Sequence, residues 1–273
     1  MSDMRMVAVA VAAVALSFSG MAREAIVFVG AHPDDTEGFA ATAFLLRDKY
    51  DLHVVDLTRG ERGLGAKGLA DGSTGRIRVR EEQEACRLLG ATPHFLCEVN
   101  GRCHASAQAA AELTALLKEI RPKAVFSHWP VDKHSDHVQC AATVAFSLDE
   151  LWVSENWRPQ FYFYEVLPGQ TRNWSPIYSV DVTKTMDLKS AMLRKYACQN
   201  PDDSLVRAKV AQAERRGRER DPPCRYAETY TTFDGKPIKG GVLEELPETA
   251  ILKRGCRWCA KQSSAELTEW CAK

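Results

Sequence analysis

Apolar positions along the chain follow two alternating rhythms. Short runs rich in β-branched and aromatic residues read as strands: AIVFV (25–29), LHVVDLT (52–58), PHFLCEV (93–99) and KAVFSH (123–128). Between them, apolar residues return every three or four positions, the period of a helix with one buried face. TEGFAATAFLLRDKY (36–50) does so through Phe39, Ala43 and Leu46. RIRVREEQEACRLLG (76–90) closes on Gly90, a natural C-cap, and ASAQAAAELTALLKEI (105–120) stops before Pro122. SDHVQCAATVAFSLDEL (135–151) is a further helix. FYFYEV (161–166) and IYSVDV (177–182) read as later strands, and 183–220 as two helices. Residues 231–273 carry Gly, Pro, Lys and Cys without periodicity and read as an irregular C-terminal extension.

This alternation predicts an α/β fold with a mostly parallel sheet and helices on both faces. Such sheets bind ligands beyond the carboxyl ends of their strands. Four polar clusters fall there: GAHPDD (30–35), TRGERG (58–63), Asn100-Gly101 and HWPVDKHSDH (128–137).

The first of these sets two adjacent carboxylates beside a histidine after a buried strand. Like charges so close repel, and a bound cation relieves them. His32 and Asp35, three residues apart in a turn, reach one point; His134 or His137 from the fourth cluster completes a two-histidine, one-carboxylate set. Three protein ligands with a position left open is the pattern of catalytic zinc. Zinc lowers the pKa of water to about 7 and polarises a carbonyl. Asp34, left free, is placed to take a proton. A second histidine, held by Asp136, is placed to stabilise an oxyanion or protonate a leaving amine. The set fits amide hydrolysis. Taken alone, Asp34 or Asp35 would serve as a helix N-cap and His137 as a packed imidazole; their joint placement favours the metal. His53, His94 and His104 read as structural, and His128 as a residue behind the ligands. A nucleotide would need a glycine fingerprint after the first strand, where GAHPDD would instead repel a pyrophosphate.

Composition narrows the partners. Lys+Arg and Asp+Glu number 36 each in 273 residues, so no global basic field points to nucleic acid. At the N-terminus, Arg5, an apolar run and Gly20-Met21-Ala22 read as a secretory signal over 1–22. The run is shorter than the roughly 20 residues of a membrane span, so no stable span remains after cleavage. A secreted or periplasmic location follows as an expectation. Nine cysteines then suggest disulfides, Cys97 with Cys103 and a second bridge among Cys256, Cys259 and Cys271. CRWC (256–259) is a lone CxxC and a weak zinc signal. Oligomeric state is open, a homo-oligomer included.

GAHPDDTE, LTRGERG, the Arg78–Glu81 pair before ACRLLGA, and SHWPVDKHSDH together resemble the PIG-L/LmbE-like family of zinc-dependent N-acetylglucosaminyl deacetylases. The bacterial branch with the bacillithiol-pathway enzymes is the most similar. The resemblance spans about residues 25–230, including MLRKYACQ (192–199) and RYAETY (225–230). It implies a Rossmann-like fold and hydrolysis of an N-acetyl amino sugar or short glycan, releasing acetate. It further implies His32, Asp35 and His137 as zinc ligands and Asp34 as general base. His134 would stabilise the oxyanion with Asp136 holding its ring, and Arg78 would contact substrate. Ser135 departs from the proline usual between the metal-site His and Asp. Asn100 stands where the family often has an aspartate that meets a sugar hydroxyl; the amide keeps hydrogen bonding and loses charge. Export also departs from cytosolic thiol-cofactor synthesis and points to an environmental or envelope glycan. A sugar-binding or metal-binding protein without hydrolysis is the alternative, although no residue of the constellation is missing.

Overall fold

The computed structural model describes residues 23–63, 72–167 and 169–252. Among these residues, eight strands form one sheet in the order β3-β2-β1-β4-β5-β7-β6-β8. Five are parallel: β1 (Ala25–Gly30), β2 (Asp51–Thr58), β3 (Ala91–Glu98), β4 (Ala124–His128) and β5 (Gln160–Tyr164). The other three, β6 (Tyr178–Asp181), β7 (Ala227–Thr231) and β8 (Thr249–Ile251), continue it antiparallel.

Side chains alternate across β1, and both faces are covered. Ile26 and Phe28 pack toward α1 (Ala40–Leu46), α2 (Ser73–Leu89), α5 (Met186–Leu193) and α6 (Ser204–Glu219). Val27 and Val29 pack toward α3 (Ala107–Ile120) and α4 (Ser135–Glu155). Burying each such side chain contributes about 1.5–3 kcal/mol, which is why β1 reads as a continuous apolar run. Chain order reverses beside β1: β2 and β3 extend to one side, β4 and β5 to the other. Loops after β1 and β4 therefore part at a switch point and open a crevice. The two clusters richest in histidine and aspartate leave the sheet there.

Three expectations are corrected. The helix read over 36–50 is broken into a 3-10 turn (Asp35–Gly38) and α1. Gly38 lies against a ring, and a Cβ on it would meet Tyr164 at 2.4 Å. The irregular extension does not start at 231: Val242 and Leu243 are fully buried in the core, and β8 pairs with β6. A three-residue strand, TAI, has no period to read. Third, Cys97 and Cys103 are both free. Cys97 is exposed on β3, whereas Cys103 is turned inward, its thiol donating to the Val99 carbonyl at 3.9 Å. The leader at 1–22 and Cys256, Cys259 and Cys271 lie outside the described residues. Among the described residues, no helix is long and apolar enough to cross a membrane.

Candidate active site

The turn after β1 sends its two carboxylates in opposite directions. Gly30 gives the room: a Cβ there would lie 2.9 Å from the Asp35 Cβ and 3.2 Å from Asp56 Oδ1. Asp35 folds back over the strand end, where the amides of Ala31 and His32 both donate to its Oδ2 at 2.8 Å. Asp34 takes a left-handed backbone, φ 107°, a conformation that costs a non-glycine residue about 1–3 kcal/mol. That twist turns its carboxylate away to Arg78, whose Nη2 donates to Oδ1 at 2.5 Å and also to the Pro33 carbonyl.

Their electrostatics diverge accordingly. Burial drives the Asp34 carboxyl up to about 7, with Arg78 opposing and Asp35 reinforcing the shift. Burial also works on Asp35, but the His128 and His137 imidazoles outweigh it and hold that carboxyl well below the usual range. Asp34 keeps 19% of its side chain exposed, so the more basic carboxylate is the one that meets solvent.

Histidines surround Asp35. His137 Nε2 lies 3.4 Å from Oδ1, His128 Nε2 3.0 Å from Oδ2, and His32 Nδ1 3.5 Å from Oδ2. The His128 and His137 rings stack at 4.0 Å between centroids. Among the described residues, two overlapping donor sets converge closely enough for a metal ion: His32, His134 and His137, and Asp35, His128 and His137. His137 belongs to both. Its Nδ1 faces Asp132 Oδ1 at 3.3 Å and the Gln170 amide at 3.2 Å, which leaves Nε2 directed at the site. Burial lowers its pKa, but Asp35 and Asp132 together push it up to about 10. A position that favours positive charge between two carboxylates suits a cation. His128 goes the other way: burial, then the neighbouring His137, pushes it down to about 4, so its ring is neutral.

His32, Asp34, Asp35, His134, Asp136 and His137 thus come together at the crevice, but two contacts differ from expectation. Asp136 does not hold the His134 ring. Its carboxylate meets His32 Nε2 at 3.0 Å and accepts from the amides of Gly101 at 2.5 Å and Cys103 at 3.4 Å. His134 is the N-cap of α4, its Nδ1 accepting the Asp136 backbone amide at 3.2 Å, which aims the ring away from that carboxylate. Arg78 is only 3% exposed and is committed to Asp34 and Pro33, so it braces the base from beneath. Asn100 is buried in the loop tied to Asp136 through Gly101, its backbone N–H donating to Glu61 Oε2 at 3.3 Å. Asp132 lies inside the HWPVDKHSDH stretch but carries no signal of its own that sets it apart as a site residue. Gln170 comes from a loop without any pattern. It is brought in by a β-bridge between Asp132 and Thr171.

Comparison with known proteins fits this geometry. The sequence model of the GlcNAc-PI de-N-acetylase (PIG-L) family matches residues 27–146, from β1 through most of α4. A 1D-myo-inositol 2-acetamido-2-deoxy-α-D-glucopyranoside deacetylase of Salinispora arenicola is 30% identical, over 66% of this chain and 78% of that protein. The chain belongs to the PIG-L family. Another relative, a 4-oxalmesaconate hydratase of Pseudomonas putida, is 25% identical over 65% of this chain and 74% of its own. Among solved structures, the N,N'-diacetylchitobiose deacetylase of Pyrococcus horikoshii superposes with a TM-score of 0.66 and 26% identity, covering 78% of this chain and 84% of its own.

Proposed function

We propose that this chain is a metal-dependent N-deacetylase that hydrolyses the acetamide of an N-acetylated amino sugar or short glycan. The observation that carries the reading is the split between Asp34 and Asp35. One carboxylate is held ionised among histidines, while its neighbour is tuned to the range where a general base works. The names of the relatives, two of them sugar deacetylases, support the amino sugar.

Imidazole nitrogens around one carboxylate suit Zn²⁺; His32 and His137 lie 3.5 and 3.4 Å from the Asp35 carboxylate, so these three would hold it by drawing on both convergent sets, with the His128 ring stacked on His137. When bound, such an ion supplies Lewis acidity, acidifying water and polarising the acetyl carbonyl. Asp34 takes the proton of the attacking water as its oxygen bonds to the acetyl carbon. The proton passes to the amine nitrogen as the C–N bond breaks, leaving acetate and a free amine. His134 accepts the Asp136 amide on Nδ1, so the neutral ring carries its proton on Nε2. That N–H is the donor for the oxyanion. Asp132 fixes the His137 tautomer and ring orientation, as carboxylates commonly do behind metal-binding histidines. Export through the 1–22 leader, which would place the substrate outside the cytoplasm, is a separate proposal, tested by cell fractionation and N-terminal sequencing.

The direct experiment measures acetate released from N-acetylglucosamine, its β-1,4 oligomers and N-acetylglucosaminyl-inositol. It compares metal-stripped, zinc-loaded and Asp34→Asn protein. Zinc-dependent release that Asp34→Asn abolishes is the expected result; release indifferent to both would sink the reading. The hydratase relative favours a second one, water addition across a carbon–carbon double bond of a small unsaturated carboxylate with the same base. Loss of 4-oxalmesaconate absorbance with no acetate from any sugar would decide for it.

A further inference from the structure

On the α5 and α6 side of the turn that carries Asp34 and Asp35 lies a second buried polar cluster. A cavity of about 10 Å³, room for one water, is lined by three acids, Glu37, Glu165 and Glu228, and three bases, Lys189, Lys209 and Arg216. Glu37 belongs to the 3-10 turn itself, two residues after Asp35.

Four successive residues of this turn are each gripped by a different part of the chain. Arg78 of α2 holds Asp34, and the crevice histidines hold Asp35. The Tyr196 hydroxyl, just past α5, meets Thr36 Oγ1 at 2.5 Å. Lys209 of α6 pairs with Glu37 at 3.2 Å. Lys209 is 1% exposed, and fully buried lysines are rare unless paired. Its ammonium has three protons and three acceptors: Glu37, the Val166 carbonyl and Gln212 Oε1 at 3.1 Å. For stability alone, an apolar pair of the same volume would serve as well or better. What a saturated ammonium adds is direction, because it fixes the Glu37 carboxylate relative to β5 and α6.

We propose that Lys209 is a positioning residue of the active site: through Glu37 it sets the 3-10 turn, and with it the approach of Asp34 and the metal-directed face of Asp35. The inference rests on the deacetylase reading for its kinetic consequence and on the donor set alone for its metal consequence.

The test uses full-length protein with Lys209→Met, Glu37→Gln and the double variant. It reads kcat, KM and thermal melting, together with Co²⁺ affinity of the metal-stripped protein from its visible absorbance. For folded Lys209→Met, kcat falls about 10- to 100-fold with KM within about twofold, the scale expected when a reacting group is misplaced by about an ångström. Co²⁺ binding weakens about tenfold, as when a group behind a ligand is removed. The double variant is no worse than Lys209→Met alone, since it also removes the stranded Glu37 charge. A variant that only melts lower, with kcat and Co²⁺ affinity within about twofold of wild type, overturns the proposal. Should Lys209→Met not fold, Glu37→Gln keeps the shape and decides by the same two readouts. A wild type that binds Co²⁺ but releases no acetate refutes the deacetylase reading while the affinities still judge Lys209; one that binds no Co²⁺ overturns both.

Discussion

The turn at 32–38 separates two buried charge clusters that obey different rules. Below it, every charge has a counter-charge. Arg216 meets Glu165 through two bonds of 2.8 and 2.7 Å, Lys189 meets Glu228 at 2.6 Å, and Lys209 meets Glu37. Glu228 also accepts the Ala41 and Thr42 amides at the start of α1, at 3.2 and 2.8 Å. Above the turn, several imidazoles compete for one carboxylate. Asp35 faces three imidazoles, Asp34 is driven toward neutrality, and His128 Nδ1 and Asp56 Oδ2 are buried with no hydrogen-bond partner. Buried polar groups are ordinarily satisfied, so the exceptions need a reason. A charge-paired network holds a backbone in place; a buried one whose protonation is strongly perturbed is available for chemistry.

The largest effects test the upper cluster. Asp35→Ala removes the carboxylate that the crevice histidines share. Acetate release should fall to about a ten-thousandth of wild type or below, with Co²⁺ affinity lost alongside, since base alignment and metal fail together. Asp34→Asn should separate the two. It removes the base while leaving every donor of both sets, so kcat drops about 10²- to 10⁴-fold and Co²⁺ affinity stays within a few-fold. Retention of more than a tenth of wild-type kcat would assign the base elsewhere.

Smaller effects come from breaking one partner on each side. Below the turn, Arg216→Met strands the buried Glu165 carboxylate. Losing one partner of a buried pair typically costs about 3–5 kcal/mol. The low end is expected, because Arg215 also lies 3.6 Å from Glu165 and softens the loss. Denaturant unfolding reads it; a change under about 1 kcal/mol would mean this network is less tightly coupled than its geometry. Above the turn, Asp132→Asn keeps the fold and loosens His137, so Co²⁺ affinity should weaken about 10- to 100-fold. An unchanged affinity would show that Gln170 orients the ring by itself.

The same contrast explains what the sequence discloses. β1, β2 and β4 are visible because buried parallel strands are apolar on both faces, and β3, at the sheet edge, by its place in the strand–helix alternation; the strand-end rule then points to His32, Asp34, Asp35, His134, Asp136 and His137. Gripping contacts are invisible because their partners are remote: Arg78 lies 44 residues from Asp34, Tyr196 lies 160 from Thr36. The helical period over 36–50 likewise does not disclose the break at Phe39, φ −138°, between the 3-10 turn and α1, because the turn before it is packed against the distant Tyr196 and Tyr164. β7 (AETYT) alternates with polar residues, and Glu228 in it is spoken for by Lys189, which no local pattern announces.

Glu245 offers the mildest probe, a paired charge that is not deeply buried. It lies in the segment that the sequence leaves irregular, yet it ties that segment to the amino ends of β2 and β4. Its carboxylate accepts from Lys49, from Tyr50 at 2.5 Å and from Lys123 at 3.0 Å. Burial raises its pKa, but these three donors outweigh burial and bring it down to about 2, against an ordinary 4.5. Its stabilising contribution is therefore complete above about pH 4.5 and drains away as pH falls toward about 2. The side chain is 22% exposed and solvent screens its ion pairs, so the contribution is about 1 kcal/mol rather than the full value of the shift. Glu245→Gln keeps the acceptor and loses the charge. Urea unfolding should show the variant about 1 kcal/mol less stable at pH 6, with the gap closing near pH 2 and shrinking in high salt. A gap that stays constant with pH would mean that shape, not charge, joins residues 231–252 to the domain, and that the contrast between paired and unpaired clusters does not extend to its surface.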